Sequence, residues 1–420
     1  MKVFKFGGAS VNGHEKIRNL TSILAATPKE PLLVVVSAMG KTTNALEKVA
    51  EAFYAGKKEE ALQLFRAIKL QHLDEAKFLL VRQFNETLAR MNDFFTEVEW
   101  LLHDKPVQSF DYYYDQIVCV GELLSTTLVA AYLQESGIAC SWIDIRDVVR
   151  TDDEFRAASV NIDYTQQQAK ATIAPILQET GLVVTQGFIG CTDENESTTL
   201  GREGSDYTAA LLANMLEAEA VVIWKDVPGV MNADPKAFPE ATLIPELNYR
   251  EVIEMTYYGA QVIHPKTIKP LQNKSIPLFV KSFQDPSLPG TVIHNHAVKT
   301  MPCMVVRKEQ QVLMQLETAD YSFVGEQPMG MLYQMMAALH IRPNLIQTGA
   351  VAVQLCLDDH PEKIEKLAAE ASRIFEVQLQ KGLRLLTMRH PQERWLQQLI
   401  AGEKILLRQE SKETIQMLMQ

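Results

Sequence analysis

Hydrophobic and polar positions follow two rhythms along the chain. Residues 3–6 are a short apolar run interrupted by Lys5 and leading straight into Gly7-Gly8-Ala9-Ser10. Ile17, Leu20, Thr21 and Leu24 then fall at i, i+3, i+4 and i+7, the spacing of one helix face. Pro31 introduces Leu32-Leu33-Val34-Val35-Val36, an uninterrupted aliphatic run that suits a strand buried on both faces. Strand, glycine loop, helix and buried strand make a βαβ opening. Residues 45–105 predict helix almost throughout, with Ala61, Leu64, Phe65 and Ile68 as one apolar face and Leu88, Met91, Phe95, Val98 and Leu102 as another. A further helix is expected over 114–134. Alternation then resumes, with strands over 141–145, 182–186, 220–224 and 277–281 and helices over 164–177 and 249–255. The helix opened by Ser205 and Asp206 should bury Leu211, Leu212, Met215 and Leu216. This pattern predicts an α/β fold built on a mainly parallel sheet.

A polar, turn-rich connector (Asp285-Pro286, Pro289-Gly290, His294-Asn295-His296) puts a domain boundary between 1–297 and 298–420. Beyond it the elements shorten. A strand over 311–317, a helix over 330–340, strands over 345–348 and 351–357 and a helix over 361–375 give the βαββα order of a small ferredoxin-like α+β module. Strands over 383–388, 404–408 and 414–419 and a helix over 392–400 add a partial repeat, which reads as an incomplete second module. The tail has no cluster of acid, base and glycine loop, so it reads as regulatory or assembly-forming.

At 420 residues the chain exceeds a usual single core, which agrees with two or more domains. A formal charge of −11 argues against a general nucleic-acid or anionic-membrane surface, so any anionic substrate must meet local positive charge. There is no unbroken run of about 18 apolar residues and no signal-peptide core, and a cytoplasmic location is expected. Five cysteines without a Cys-x-x-Cys pair read as reduced thiols, and the nine histidines show no metal-ligand spacing.

Residues 198–235 concentrate the candidate chemistry. Gly201 and Gly204 flank Arg202, Ser205 and Asp206 start a helix, and the following strand ends at Lys225 and in the Asp226-Val227-Pro228-Gly229 turn. A helix start offers N–H groups and a positive dipole end to a phosphate or carboxylate. The plainer alternative is a turn with Ser205 as helix N-cap. Lys5 beside Gly7-Gly8 can approach a phosphate, since glycine lets the backbone come close, although the spacing is neither Walker A nor Gly-x-Gly-x-x-Gly and a tight turn would look the same. The stretch Ser37 to Asn44, directly after a buried strand, lies at the ligand-binding edge of an open parallel sheet or is an ordinary capped loop. Glu122 alone reads as a solvated helix residue, and His264, before Pro265, as a packed or capping one.

Together, Lys5-Phe6-Gly7-Gly8-Ala9-Ser10, Thr199-Leu200-Gly201-Arg202-Glu203-Gly204-Ser205-Asp206-Tyr207-Thr208-Ala209-Ala210 and Asp226-Val227-Pro228-Gly229 closely resemble aspartate kinase, of the amino-acid kinase superfamily, over about residues 2–295. The tail resembles that family's ACT-type regulatory region. The resemblance implies a three-layer α/β/α catalytic domain. It would transfer the γ-phosphoryl group of ATP, with Mg²⁺, to the side-chain carboxylate of L-aspartate, the first step toward lysine, threonine and methionine. Lys5 would stabilise phosphate, with Gly7, Gly8 and Ser10 in its loop. Arg202 would grip a substrate carboxylate beside Ser205. Ser37, Thr43 and Phe188 would line the aspartate pocket, and Glu122 would receive the ammonium group. Asp206 would hold Mg²⁺ with the phosphates, while Lys225, Asp226, Met231, Lys236 and Gln261 would border the nucleotide. An amino-acid effector on the C-terminal domain and a homodimer or higher homo-oligomer are also implied.

Three positions depart from the family pattern. Ala9 stands where threonine is usual, Gln261 where lysine is frequent and Met231 where tyrosine is frequent; these bear on ATP affinity rather than on reaction type. The alternatives are a kinase for another small acid such as glutamate, and a non-catalytic amino-acid sensor.

Overall fold

The computed structural model describes residues 1–27, 30–260, 263–320 and 322–420. They form two compact units: Met1–Val230 with Leu243–Ile253 and Ile263–Val298, and Met231–Thr242 with Glu254–Val262 and Lys299–Gln420. Gln261 lies outside the described residues.

The first unit contains strands β1 (Lys2–Phe6), β2 (Leu32–Val36), β3 (Ser141–Ile143), β4 (Leu182–Gln186), β5 (Ile189–Cys191), β6 (Ser197–Thr199), β7 (Ala220–Lys225), β8 (Glu246–Asn248), β9 (Leu278–Ser282) and β10 (Thr291–His294). Eight make one sheet in the order β3-β4-β2-β1-β7-β9-β10-β8, parallel throughout except between β9 and β10. All five residues of β2 and of β4 are buried, as the aliphatic run of β2 predicts for a strand covered on both faces. Phe6 pairs with Val36 and with Trp224, and Val36 with Gln186, so β4, β2, β1 and β7 end level. Gly187-Phe188, Ser37, Gly7 and Lys225 therefore sit at or just beyond one carboxyl edge, where open parallel sheets place ligands.

The helical stretch resolves into Thr42–Tyr54, Lys58–Leu79 and Phe84–His103, with Phe65, Ile68, Met91, Phe95, Val98 and Leu102 buried. The expected helix over 114–134 is a pair, Phe110–Val118 and Val120–Glu135. By length and composition this stretch suffices to cross a membrane, yet 89% of its most apolar window is buried within the protein. Asp115 and Glu122 interrupt it, which is why no unbroken apolar run shows in the sequence. The helix Gly204–Met215 is buried nearly all round rather than along one face. Ala209, Ala210 and Ala213 make the other sides small enough to pack.

The second unit contains β11 (Met304–Glu317), β12 (Leu345–Thr348), β13 (Ala352–Asp358), β14 (Glu376–Arg389), β15 (Ile405–Glu410) and β16 (Thr414–Met419). They form one antiparallel sheet, β12-β13-β11-β14-β16-β15. The 14-residue strands β11 and β14 run longer than the sequence pattern suggests, and each serves both halves of the sheet. Polar Arg307 to Gln310 looks like a strand end, but the structure makes it a bulged stretch, with Gln310 at φ 52° and the register shifting beyond Lys308. Leu316, Leu332, Val353 and Leu367 centre one core. Leu313, Leu345, Leu385 and Leu418 belong to a second. Val305, Met388, Leu396 and Met417 centre a third, into which Ala233 and Phe238 also pack. This apolar burial is why residues 231–242 cluster with the tail.

Candidate active site

A cleft of about 460 Å³ in the first unit is lined by residues from widely separated parts of the chain, among them Lys5, Ser37 and Thr43, then Glu122, then Phe188, then Arg202, Ser205, Asp206 and Lys225. Their meeting follows from the sheet order, since β1, β2, β4 and β7 are neighbours. A larger cleft of about 620 Å³ in the second unit, walled by Tyr333, His340, Arg342, His360 and Lys363, contains none of the residues singled out in the sequence.

Two loops must come close to close the edge. A Cβ on Gly8 would stand 2.8 Å from the carbonyl oxygens of Ala38 and Gly40, and the Gly40 N–H donates to the Gly8 carbonyl at 3.0 Å. Gly187 has the same role against the next helix, where a Cβ would lie 2.6 Å from the Cα of Ser205. A Cβ on Gly7 would stand 3.4 Å from Lys5 Nζ, so the absent side chain leaves room for the ammonium group.

Lys5 Nζ meets Asp206 Oδ1 at 2.6 Å, with the side chains 11% and 3% exposed. Burial alone would raise the Asp206 carboxyl, but Lys5 and Lys225 together outweigh it and hold it below the usual carboxylate range. Glu122, 2% exposed, is treated differently. Its Oε1 accepts the Ala38 N–H at 3.2 Å and its Oε2 has no partner. Burial pushes this carboxyl up to about 8, against the opposing pull of backbone N–H donors and Lys5. Glu122 is thus a deep acceptor facing the cleft, not the solvated residue that its helix position suggests.

Asp115, Tyr114, Arg156 and Thr199 belong here too, although the sequence pattern assigns none of them a role in the site. Asp115 is fully buried and accepts from the N–H groups of Arg156 (2.9 Å) and Thr199 (2.8 Å) and from the Thr199 hydroxyl (2.7 Å). Burial raises it to about 6 despite those donors. Tyr114, Arg156 and Thr199 line the cleft. One cue existed: Asp115 and Glu122 are seven residues apart on apolar helix, hence on one face.

Other expectations fare unevenly. Ser205 is not the N-cap: the helix begins at Gly204 behind Glu203, which has φ 54° and makes no side-chain cap. Ser10 is buried, with its hydroxyl toward the Trp224 carbonyl at 3.5 Å, and neither it nor Gly7 and Gly8 lines the cleft. Asp226 is exposed after β7 and also absent from the lining. Met231 and Lys236 fall in the second unit. His264 caps its helix, its Nδ1 accepting from the Lys266 N–H at 3.1 Å, and its own N–H donates to Glu203 at 2.8 Å. Among the described residues no group of three or more His, Cys, Asp or Glu could hold a metal ion.

The profile of the amino acid kinase family matches residues 1–282. The chain is 34% identical over 400 residues to lysine-sensitive aspartokinase 3 of Escherichia coli (strain K12), spanning 92% of this chain and 86% of that protein. The crystal structure of E. coli aspartokinase III with aspartate and ADP (R-state) superimposes with a TM-score of 0.83 at 29% identity, covering 100% of this chain and 96% of that one. The complex of the same enzyme with lysine and aspartate (T-state) gives 0.81 at 30% identity, covering 100% and 95%. The family match over residues 1–282 and these likenesses along nearly the whole chain lead to one assignment: the chain belongs to the amino acid kinase family, among its aspartokinases.

Proposed function

We propose that this cleft transfers the γ-phosphoryl group of ATP to the side-chain carboxylate of L-aspartate, giving 4-phospho-L-aspartate. Glu122 is the observation that carries the choice of acceptor. A buried carboxyl group with one unpartnered oxygen is costly to leave as it is, and a substrate ammonium group supplies both the missing partner and the charge that favours the carboxylate. An N-acylated acid has no such group to offer. The E. coli relative's complex with aspartate and ADP supports the pair of ligands.

An aspartate side chain is ionised at neutral pH, so no general base is required. The work is to hold two anions together and to neutralise charge on the transferred group. Lys5 lies where it can bridge phosphate oxygens, and Arg202, with Ser205 beside it, offers a bidentate fork to a substrate carboxylate. Ser37, Thr43 and Phe188 shape the acceptor pocket. Mg²⁺ suits a single buried carboxylate next to bound phosphates, because it keeps waters and phosphate oxygens as most of its ligands. Asp206 would hold it, and the ion would offset charge on the nucleotide. Lys225 and Asp226, at the end of β7, would border the nucleotide.

The second unit would take an amino-acid effector, and assembly as a homodimer or higher homo-oligomer and a cytoplasmic location complete the reading. The five cysteines are free and buried, as reduced thiols would be. The test is ATP-dependent formation of aspartyl phosphate, trapped as the hydroxamate. Product is expected with aspartate, and its absence at saturating Mg-ATP would refute the reading.

A further inference from the structure

We propose that Arg156 is a substrate-binding residue that closes, together with Arg202, on the α-carboxylate of the acceptor amino acid; this rests on the aspartate reading above. Arg156 lines the same cleft, and its backbone is pinned there from several sides. Its N–H donates to Asp115 at 2.9 Å, and the N–H of Ala158 donates to the Thr199 carbonyl at 3.0 Å. Its carbonyl oxygen lies 3.3 Å from where a Cβ would stand on Gly201. The loop carrying Arg156 therefore touches the loop carrying Arg202 one residue before that arginine.

The backbone of Arg156 has φ 70°, a conformation that suits glycine and costs any other residue. A position that glycine would occupy without strain instead carries a long cation at the wall of the cleft, so the side chain is what the site gains. The guanidinium rests over the Tyr114 ring at 4.4 Å and the Phe110 ring at 5.6 Å, which restricts its directions. It also meets Asp111 at 3.2 Å and Glu47 at 3.8 Å, partners that are 54% and 36% exposed. Ion pairs so open to water are weak, and a carboxylate arriving in the cleft can displace either.

Placement at the amino-acid end follows from Tyr114. Tyr114 and Glu122 line the cleft from the consecutive helices Phe110–Val118 and Val120–Glu135, and the Arg156 guanidinium rests against the Tyr114 ring. Arg156 and Glu122 thus share one end of the cleft. The α-ammonium and α-carboxylate are borne on one carbon, so a substrate with its ammonium group on Glu122 presents its α-carboxylate beside Arg156 and leaves its side-chain carboxylate for the phosphoryl group.

The test is the Arg156→Gly variant, which relieves the backbone while removing the fork, compared with Arg156→Lys in the full chain. KM for aspartate should rise about tenfold in Arg156→Gly and by less in Arg156→Lys, with KM for ATP and kcat within about twofold of the parent and melting unchanged. The α-amide of aspartate, used as a competitive inhibitor, should bind the parent at least about tenfold more weakly than aspartate, and this preference should shrink to about threefold or less in Arg156→Gly. An unchanged KM for aspartate, or equal losses for aspartate and its α-amide, would overturn the assignment. Failure of the parent to phosphorylate aspartate would instead refute the underlying reading.

Discussion

One polar cluster in each unit shows the two opposite ways of treating polar groups. In the second, Asn344 donates to Gln311 at 2.8 Å and to Asp358 at 2.9 Å, Gln311 donates to Asp358 at 2.9 Å, and Lys308 donates to Asn344 at 2.8 Å. Arg389, 4% exposed, is met by Glu254 at 3.4 Å, Glu413 at 3.5 Å and the Thr414 hydroxyl at 2.8 Å. These groups answer one another and so fix the sheet. In the first unit, Glu122 keeps an unpartnered oxygen and Asp206 sits under two lysines. A closed network specifies a structure, whereas an open one keeps binding free energy in reserve for a ligand. The contrast places the chemistry in the smaller cleft.

The largest effect should come from Lys5→Ala. It removes the cation closest to Asp206 and the one aimed at the transferred phosphoryl group, so kcat should fall roughly 10²- to 10³-fold by analogy with other single electrostatic contacts. Steady-state kinetics with aspartate and ATP checks this, and a loss of tenfold or less would weaken the catalytic account. Next is Gly187→Ala, whose methyl group would lie 2.6 Å from the Ser205 backbone. Destabilisation of about 1–3 kcal/mol is expected, with impaired activity, because the helix start carrying Ser205 and Asp206 must shift. Asn344→Ala probes the opposite unit. It should lower stability by about 1–3 kcal/mol in denaturant titration by leaving buried Gln311 underpaired, yet leave kcat and KM for aspartate unchanged. A large effect on the acceptor KM would erase the distinction between the units.

A further effect concerns pH. Glu122 is raised to about 8 in the folded protein but titrates at its ordinary value once unfolded. The folded state therefore binds the extra proton between those values, and this contribution to stability is lost as pH rises through about 8. Glu122→Gln should flatten that decline, so the variant should gain stability relative to the parent at pH 9 in thermal melts. An unaltered pH profile would mean that the carboxyl is already ionised in the empty cleft.

Much of this was legible in the sequence, for identifiable reasons. The run Leu32 to Val36 marks a doubly covered strand, and once β1, β2, β4 and β7 are neighbours, Lys5, Ser37, Phe188 and Lys225 must converge. What escaped depends on distance or on conformation. Arg156 takes a glycine-like φ without being glycine, so no local pattern flags it. Ala233 and Phe238 join the second unit by sharing a buried apolar cluster with Val305 and Met388, which chain order hides. Ser205 looked like a cap because it precedes a helix, but Gly201 and Glu203, both at positive φ, start that helix without one.

The most direct test of the central claim is acceptor selectivity with and without the Glu122 carboxylate. Hydroxamate formation would be measured with L-aspartate and N-acetyl-L-aspartate as acceptors, for the parent and for Glu122→Gln. The account predicts strong preference for aspartate in the parent and loss of most of that preference in the variant, chiefly through KM for aspartate. Equal use of both acceptors by the parent, or an undiminished preference in Glu122→Gln, would contradict it.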